Sequence, residues 1–217
     1  MSGSYEQNTK EHYEHLGRFV EAFEATVQEA RDACIDLLGH DRQQKRLIEI
    51  AFRQQALTAN PTFEIMRAVI IEIIDDAIKD GALKADRNAF LGLMKFIADE
   101  YDDLVKMRNA LLHATWFVGY QSVDDPASSE FYVRKFAVTK QGLSPLELPK
   151  NARQLEELSH RCDNTRTWIG LLVNCVKGSE RLEDLFEQKG GRWFLRLGNT
   201  TLGEASLPSG AGEQNAS

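Results

Sequence analysis

The chain is poor in the residues that build covalent or metal-held frameworks. Its three cysteines, Cys34, Cys162 and Cys175, are odd in number and show no C-x-x-C spacing, which argues against a disulfide scaffold and a zinc knuckle. No apolar run approaches the roughly 20 residues of a membrane span, and the longest, Ala68 to Ile74, is interrupted by Glu72. The first residues, Met1-Ser-Gly-Ser-Tyr-Glu-Gln, lack the charged-then-apolar pattern of a secretory signal, so a cytoplasmic protein is expected. There is no glycine-rich phosphate loop, serine elbow or HExxH pattern, and no internal repeat. Positive charge is in deficit too. A formal net charge of -7 excludes a surface coated for non-specific nucleic-acid binding, though not a local basic site.

What is present is helical periodicity. Residues 1–9 form a polar lead-in, read as flexible. From Tyr13 the apolar series Tyr13, Leu16, Val20, Phe23, Val27, Ala30, Cys34, Leu37 alternates three and four apart and stops at Gly39, as a helix with one seam does. A second helix after Asp41 turns Leu47, Ile48, Ala51 and Phe52 inward and Arg42, Lys45, Arg46 and Arg53 mostly outward. Asn60-Pro61 reads as the start of a third, a capping side chain followed by proline at the first helical position. Asp86 caps a fourth. After Trp116 the period falls to about two, so Trp116–Tyr120 and Phe131–Thr139 read as strands around the turn-rich Asp124–Ser129. Leu143–Pro149 adds an edge segment. A long helix over Ala152–Val176 follows, then a short one from Ser179 that carries Leu182, Leu185 and Phe186 until Gly190-Gly191 breaks it. Residues 198–217 have the composition of a disordered tail. The expected fold is all-α: one domain over residues 10–197, an antiparallel helical bundle with a small β-hairpin inserted before the last long helix.

The fourth helix carries the chemistry. Phe90, Leu93, Met94, Ile97, Tyr101, Leu104 and Leu111 form one stripe, and Arg108 falls within it. A guanidinium on a packing face needs a partner, because an unpaired buried charge costs several kcal/mol. Asn109 and His113 lie four apart on one flank, with Asp102 on the same flank two turns earlier. The bland reading is a structural arginine paired with Asp102, Asp103 or a carboxylate on another helix, and a histidine meeting free carbonyls at a helix end. Two histidines in Glu11-His12-Tyr13-Glu14-His15 are read as a solvated helix start, and no metal site or cofactor is expected. Arg134, Lys135 and Lys140, interleaved with Phe131, Tyr132 and Phe136, offer a second possible substrate contact.

The pattern Arg108-Asn109-x-x-x-His113, at the end of an acidic helix in a helical chain, resembles the HEPN superfamily. Many of its members are metal-independent RNases of toxin–antitoxin and phage-defence systems. The resemblance implies a two-fold homodimer with both motifs in one cleft, RNA as substrate, and an antitoxin or defence-system protein as partner. It maps the catalytic set onto Arg108, Asn109 and His113, with Asp102 as the acidic assistant and Glu100 and Asp103 behind it. RNA supplies its own nucleophile, the 2′-OH. His113 would move the proton, and Arg108 would meet the growing phosphate charge. The products would be 2′,3′-cyclic phosphate and 5′-hydroxyl ends. Arg108 and His113 are five apart, about 140° around a helix. Either the helix loosens at its end, or a second subunit completes the site, with Leu104 and Leu111 at the interface. Thr115 stands where some such toxins carry a tyrosine modified by a nucleotidyltransferase antitoxin, so that form of control is not expected. The rival reading is a non-catalytic HEPN-like module that binds RNA or protein.

Overall fold

The structure, a computed structural model, describes residues 2–54, 58–81, 86–117, 132–134, 136–139, 142–145 and 148–196. The expected disordered tail, the Asp124–Ser129 turn, and Phe131, Lys135 and Lys140 lie outside the described residues.

Four long helices and a short one account for most of the fold: α1 (Ser2–Leu38), α2 (Arg42–Gln54), α3 (Ala59–Lys79), α4 (Arg87–Leu112) and α5 (Ala152–Val176). Their direction follows from which side chains meet. Thr26 donates to the Cys162 carbonyl at 3.0 Å and Lys177 lies 3.7 Å from Asp36, so α1 and α5 run side by side in the same direction. Trp168 packs on Phe96 at 4.8 Å, while Arg161, earlier in α5, reaches Glu100 and Asp103, later in α4. Those two helices are antiparallel. Tyr101 donates to the Ala59 carbonyl at 3.0 Å and Arg87 pairs with Asp75 at 2.5 Å, so α3 and α4 are antiparallel as well. Directions alternate from α3 through α4 to α5, and the result is an all-α bundle with α4 antiparallel to its neighbours α3 and α5 and with α1 parallel to α5.

Local signals set the helix ends. Asp86 accepts from the Asn88 N–H at 2.9 Å, the expected cap. Asn151 accepts from the Gln154 N–H at 3.0 Å while the Gln154 side chain accepts from the Lys150 N–H at 2.6 Å, a reciprocal closure of the first turn of α5. α3 starts earlier than Asn60-Pro61 suggests. Thr58 is its N-cap, which leaves Pro61 inside the first turn, where a missing N–H is harmless.

Within the polar lead-in expected at residues 1–9, α1 begins at Ser2. The seam of α1 also differs from the expected series. Phe19 and His12 are buried, whereas Tyr13 is 57% exposed and Val20 is only half-buried. In α2, Phe52 is buried, but Leu47 is 60% exposed and Ala51 is exposed.

Between α4 and α5 the chain forms the expected hairpin. β1 (Thr115–Phe117) pairs antiparallel with β2 (Tyr132–Arg134), Trp116 opposite Val133. β3 (Phe136–Thr139) pairs with β4 (Gly142–Pro145), which begins the expected edge segment and keeps Pro145 at the strand's end. A third pair follows α6 (Leu182–Leu185). Phe186 does not continue that helix but opens β5 (Phe186–Lys189), which returns as β6 (Arg192–Leu195). Gly190 and Gly191 take φ of 57° and 80°, the double positive φ that a two-residue hairpin turn demands. Trp193 on β6 is buried against α4, where a Cβ on Gly92 would lie 3.5 Å from its ring.

Candidate functional site

The stripe of α4 packs as its spacing implies: Phe90, Leu93, Met94, Ile97, Tyr101, Leu104 and Leu111 are all buried. Arg108, one turn after Leu104, therefore points at the bundle, and α1 is what it meets. Its guanidinium carbon lies 5.7 Å from the centre of the Phe23 ring. Nη2 donates to Glu24 Oε1 at 3.1 Å and Nη1 donates to Asn109 Oδ1 at 3.2 Å. Nε is buried and has no partner among the described residues. The side chain as a whole keeps 30% of its surface in solvent, and Glu24 keeps 56%. This is a cation seated at the mouth of the helix packing rather than sealed within it.

The carboxylate that pairs with Arg108 is thus on another helix. Residues six and five apart do not share a helix face, which places Asp102 and Asp103 out of reach of Arg108. Glu100 and Asp103 instead hold Arg161, each at 2.6 Å. Asp102 is exposed and makes no hydrogen bond or ion pair with the three motif residues. Its charge is felt by Tyr101, whose phenol burial drives well above its ordinary value, with the Glu24 and Asp102 carboxylates acting in the same direction. Tyr101 therefore stays a neutral donor to the Ala59 carbonyl.

His113 is the residue at which α4 stops. Its backbone leaves the helical region at φ -106° and ψ 10°, and its N–H still reaches the Asn109 carbonyl at 3.3 Å. The side chain is exposed and makes no hydrogen bond to any described residue, so it does not close onto the helix carbonyls. The structure joins Arg108 to Asn109 through side chains, and Asn109 to His113 through backbone. It makes no contact between the guanidinium and the imidazole.

Leu104 and Leu111, expected at a dimer interface, are fully buried within this chain and unavailable to a partner. The neighbour that does face solvent is Leu112, 42% exposed beside His113.

Sequence reasoning missed Phe23 and Glu24. The only hint was an acid next to a seam aromatic on α1, and nothing in spacing links positions 84 apart. It also missed a groove of about 350 Å³ between α1 and α5, where His15 and Arg18 face Glu156, His160, Asp163 and Arg166. His15 and His160 look unrelated in the chain and are brought together by the parallel packing. Among the described residues no group of three or more His, Cys, Asp or Glu is placed to hold a metal ion. No described helix is long and apolar enough to cross a membrane. No protein-family profile, curated protein or solved structure matches the chain.

Proposed function

We propose that the chain is a HEPN-like, metal-independent endoribonuclease of the toxin or phage-defence kind, with Arg108 binding the scissile phosphate and His113 moving protons. The observation that carries this reading is the state of the three motif side chains. Arg108 is anchored over Phe23 yet partly in water, and Asn109 and His113 are exposed immediately beyond it. A guanidinium held over an aromatic ring loses less freedom on meeting a phosphate than a free one does. An exposed imidazole is open to substrate and can accept the 2′-OH proton as a general base. Tolerating a buried Nε without a partner is costly. It makes sense where the residue's purpose is to present its two terminal nitrogens. Asp102, exposed on the same flank, is at most a distant assistant.

The guanidinium and imidazole make no contact within one chain, so this reading includes a homodimer in which one subunit's Arg108 works with the partner copy's imidazole. Leu112 replaces Leu104 and Leu111 as its apolar contact.

The test is cleavage of single-stranded RNA by purified protein in EDTA, with product ends identified as 2′,3′-cyclic phosphate and 5′-hydroxyl. His113→Ala should lower the rate by roughly 10²–10⁴-fold, the range of general acid–base catalysis. It should also relieve growth arrest on expression without loss of folded protein. Equal effects of wild type and variant would refute catalysis. A second reading, a non-catalytic HEPN-like module binding RNA or protein, is favoured by one observation: Glu24 already satisfies Arg108 within the chain.

A further inference from the structure

Each polar contact of Arg108 comes from an oxygen of its own chain. Nη1 donates to Asn109 Oδ1 and Nη2 to Glu24 Oε1, while Nε is turned inside. The edge formed by the two terminal nitrogens is the one a phosphate would grip through parallel N–H···O bonds. Each of those nitrogens already donates to an oxygen, one of them anionic. We propose that Glu24 is a built-in, displaceable occupant of the anion position on Arg108, so that a phosphodiester binds by expelling the Glu24 carboxylate while Phe23 holds the guanidinium in place. This inference deepens the proposed RNase site and rests on that reading for its substrate.

The contact has the character of a latch. Glu24 is more than half exposed and its bond to Nη2 is single, and ion pairs of this exposure hold weakly. Released, the carboxylate enters water with no desolvation penalty, so the cost of opening is small. Phe23 stacking does not involve the donor edge and survives the exchange. A weak internal competitor of this kind sets a threshold. Inorganic phosphate or a single weak anion gains little over Glu24, whereas a polynucleotide, with further phosphates to place elsewhere, displaces it.

The experiment compares Glu24→Gln with Glu21→Gln, which removes the same charge from an exposed position one turn away on α1. Binding of a short fluorescein-labelled single-stranded RNA with 2′-O-methyl sugars, which cannot be cut, is read by anisotropy. The inference expects Glu24→Gln to tighten binding up to about fivefold, Glu21→Gln to leave it nearly unchanged, and Arg108→Gln to abolish the difference. Glu24→Asp, charged but one methylene shorter, falls between wild type and Glu24→Gln, and serves also if the glutamine variant fails to fold. Equal tightening by both glutamine variants would mean general charge relief and would overturn the inference. So would weaker binding by Glu24→Gln, which would make Glu24 an aid to binding. Pyrophosphate, titrated in the same variants, separates the two levels. If no variant binds RNA but pyrophosphate binding still improves on Glu24→Gln alone, the displaceable occupant stands and the RNA reading falls.

Discussion

Replacing Arg108 by methionine separates a structural arginine from a functional one, because the stability gains offset the losses. The substitution removes a half-exposed ion pair with Glu24, worth about 0–1 kcal/mol. It also removes a cation over Phe23 at the edge of the core, worth about 0.5–1 kcal/mol. Against these losses, the buried Nε that has no partner disappears, which returns about 1–3 kcal/mol. The methionine thioether can also lie on the same ring, with about 0.3–1.5 kcal/mol of sulfur–aromatic contact. Summed, these terms run from a loss of about 0.7 to a gain of about 4 kcal/mol, so the melting temperature should fall by no more than about 3 °C for a chain of this size and can rise. Urea unfolding followed by far-UV circular dichroism measures it. RNA cleavage by the same variant should fall by about 10²–10³-fold, the usual consequence of removing one donor to a charge that develops in the transition state. A stability loss above about 3 kcal/mol would show that Arg108 is a strut of the bundle. The reasoning would then be refuted whatever the activity did.

Arg161 should behave in the opposite way. It is 24% exposed and ties Glu100 and Asp103 across α4 and α5, so Arg161→Ala strands a mostly covered carboxylate and should cost about 2–3 kcal/mol. Arg153→Ala breaks a surface pair whose arginine is 86% exposed and should cost under about 0.5 kcal/mol in the same urea assay. Gly92→Ala should be neutral or stabilising by up to about 1 kcal/mol, since its Cβ meets the Trp193 ring at an ordinary 3.5 Å and helix propensity improves. Gly39→Ala should destabilise, because its Cβ would lie 2.8 Å from the Ile35 carbonyl oxygen; equal melting temperatures for the two variants would contradict both statements. Burial pushes the Cys34 and Cys162 thiols up from about 9 to about 12. The folded state then keeps protons that the unfolded state releases, so the contribution of these thiols is constant below pH 9 and falls as pH rises from about 9 towards 12. Replacing both cysteines by valine should flatten that alkaline limb, and an unchanged limb would remove them as its cause.

The sequence revealed elements best where one short signal decided the matter. The cap at Asp86, the bounds of α5 and the stripe of α4 each depend on residues within a turn or two of one another. α1 is different. A seam read in strict sevens drifts about 20° per heptad from a straight helix, and the core-facing line of α1 is centred near Ala30, Phe23 and His12. Counted that way, Tyr13 lies about 100° from the centre of the line, and Phe19 sits close to it. The structure buries Phe19 and exposes Tyr13 accordingly. α2 gave a false inward pair because, among the described residues, its main packing partner is α1, so a narrow apolar arc suffices and Leu47 is left outside. At β5–β6, Gly190-Gly191 was legible as a break. That it joins two strands rather than ending a helix depends on Trp193 finding α4, a contact no local pattern encodes.

The same distinction between local and long-range information runs through the candidate site. Arg108, Asn109 and His113 are local: a charge within an apolar stripe, with Asn109 beside it and His113 at the helix end, singled them out. What decides their chemistry is the alternation of helix directions, which carries α1 past the end of α4 and sets Phe23 and Glu24 against Arg108. The first helix therefore fixes the charge, whereas His113, the proton carrier of the proposed reading, stands at the terminus of α4, exposed and beyond the last helical residue. In the proposed reading the site is rigid at its anion end and open at its proton end. Rate then depends on what orders the imidazole, and within the proposed reading only substrate or a second copy of the chain is in a position to do so. Leu112→Asp tests the second. It adds a charge to an exposed position, so it should leave the melting temperature within about 2 °C while splitting the dimer in light scattering and lowering cleavage with it. Full activity in a monomeric Leu112→Asp protein would show that one chain orders its own histidine once RNA is bound, and the two-subunit site would have to be abandoned.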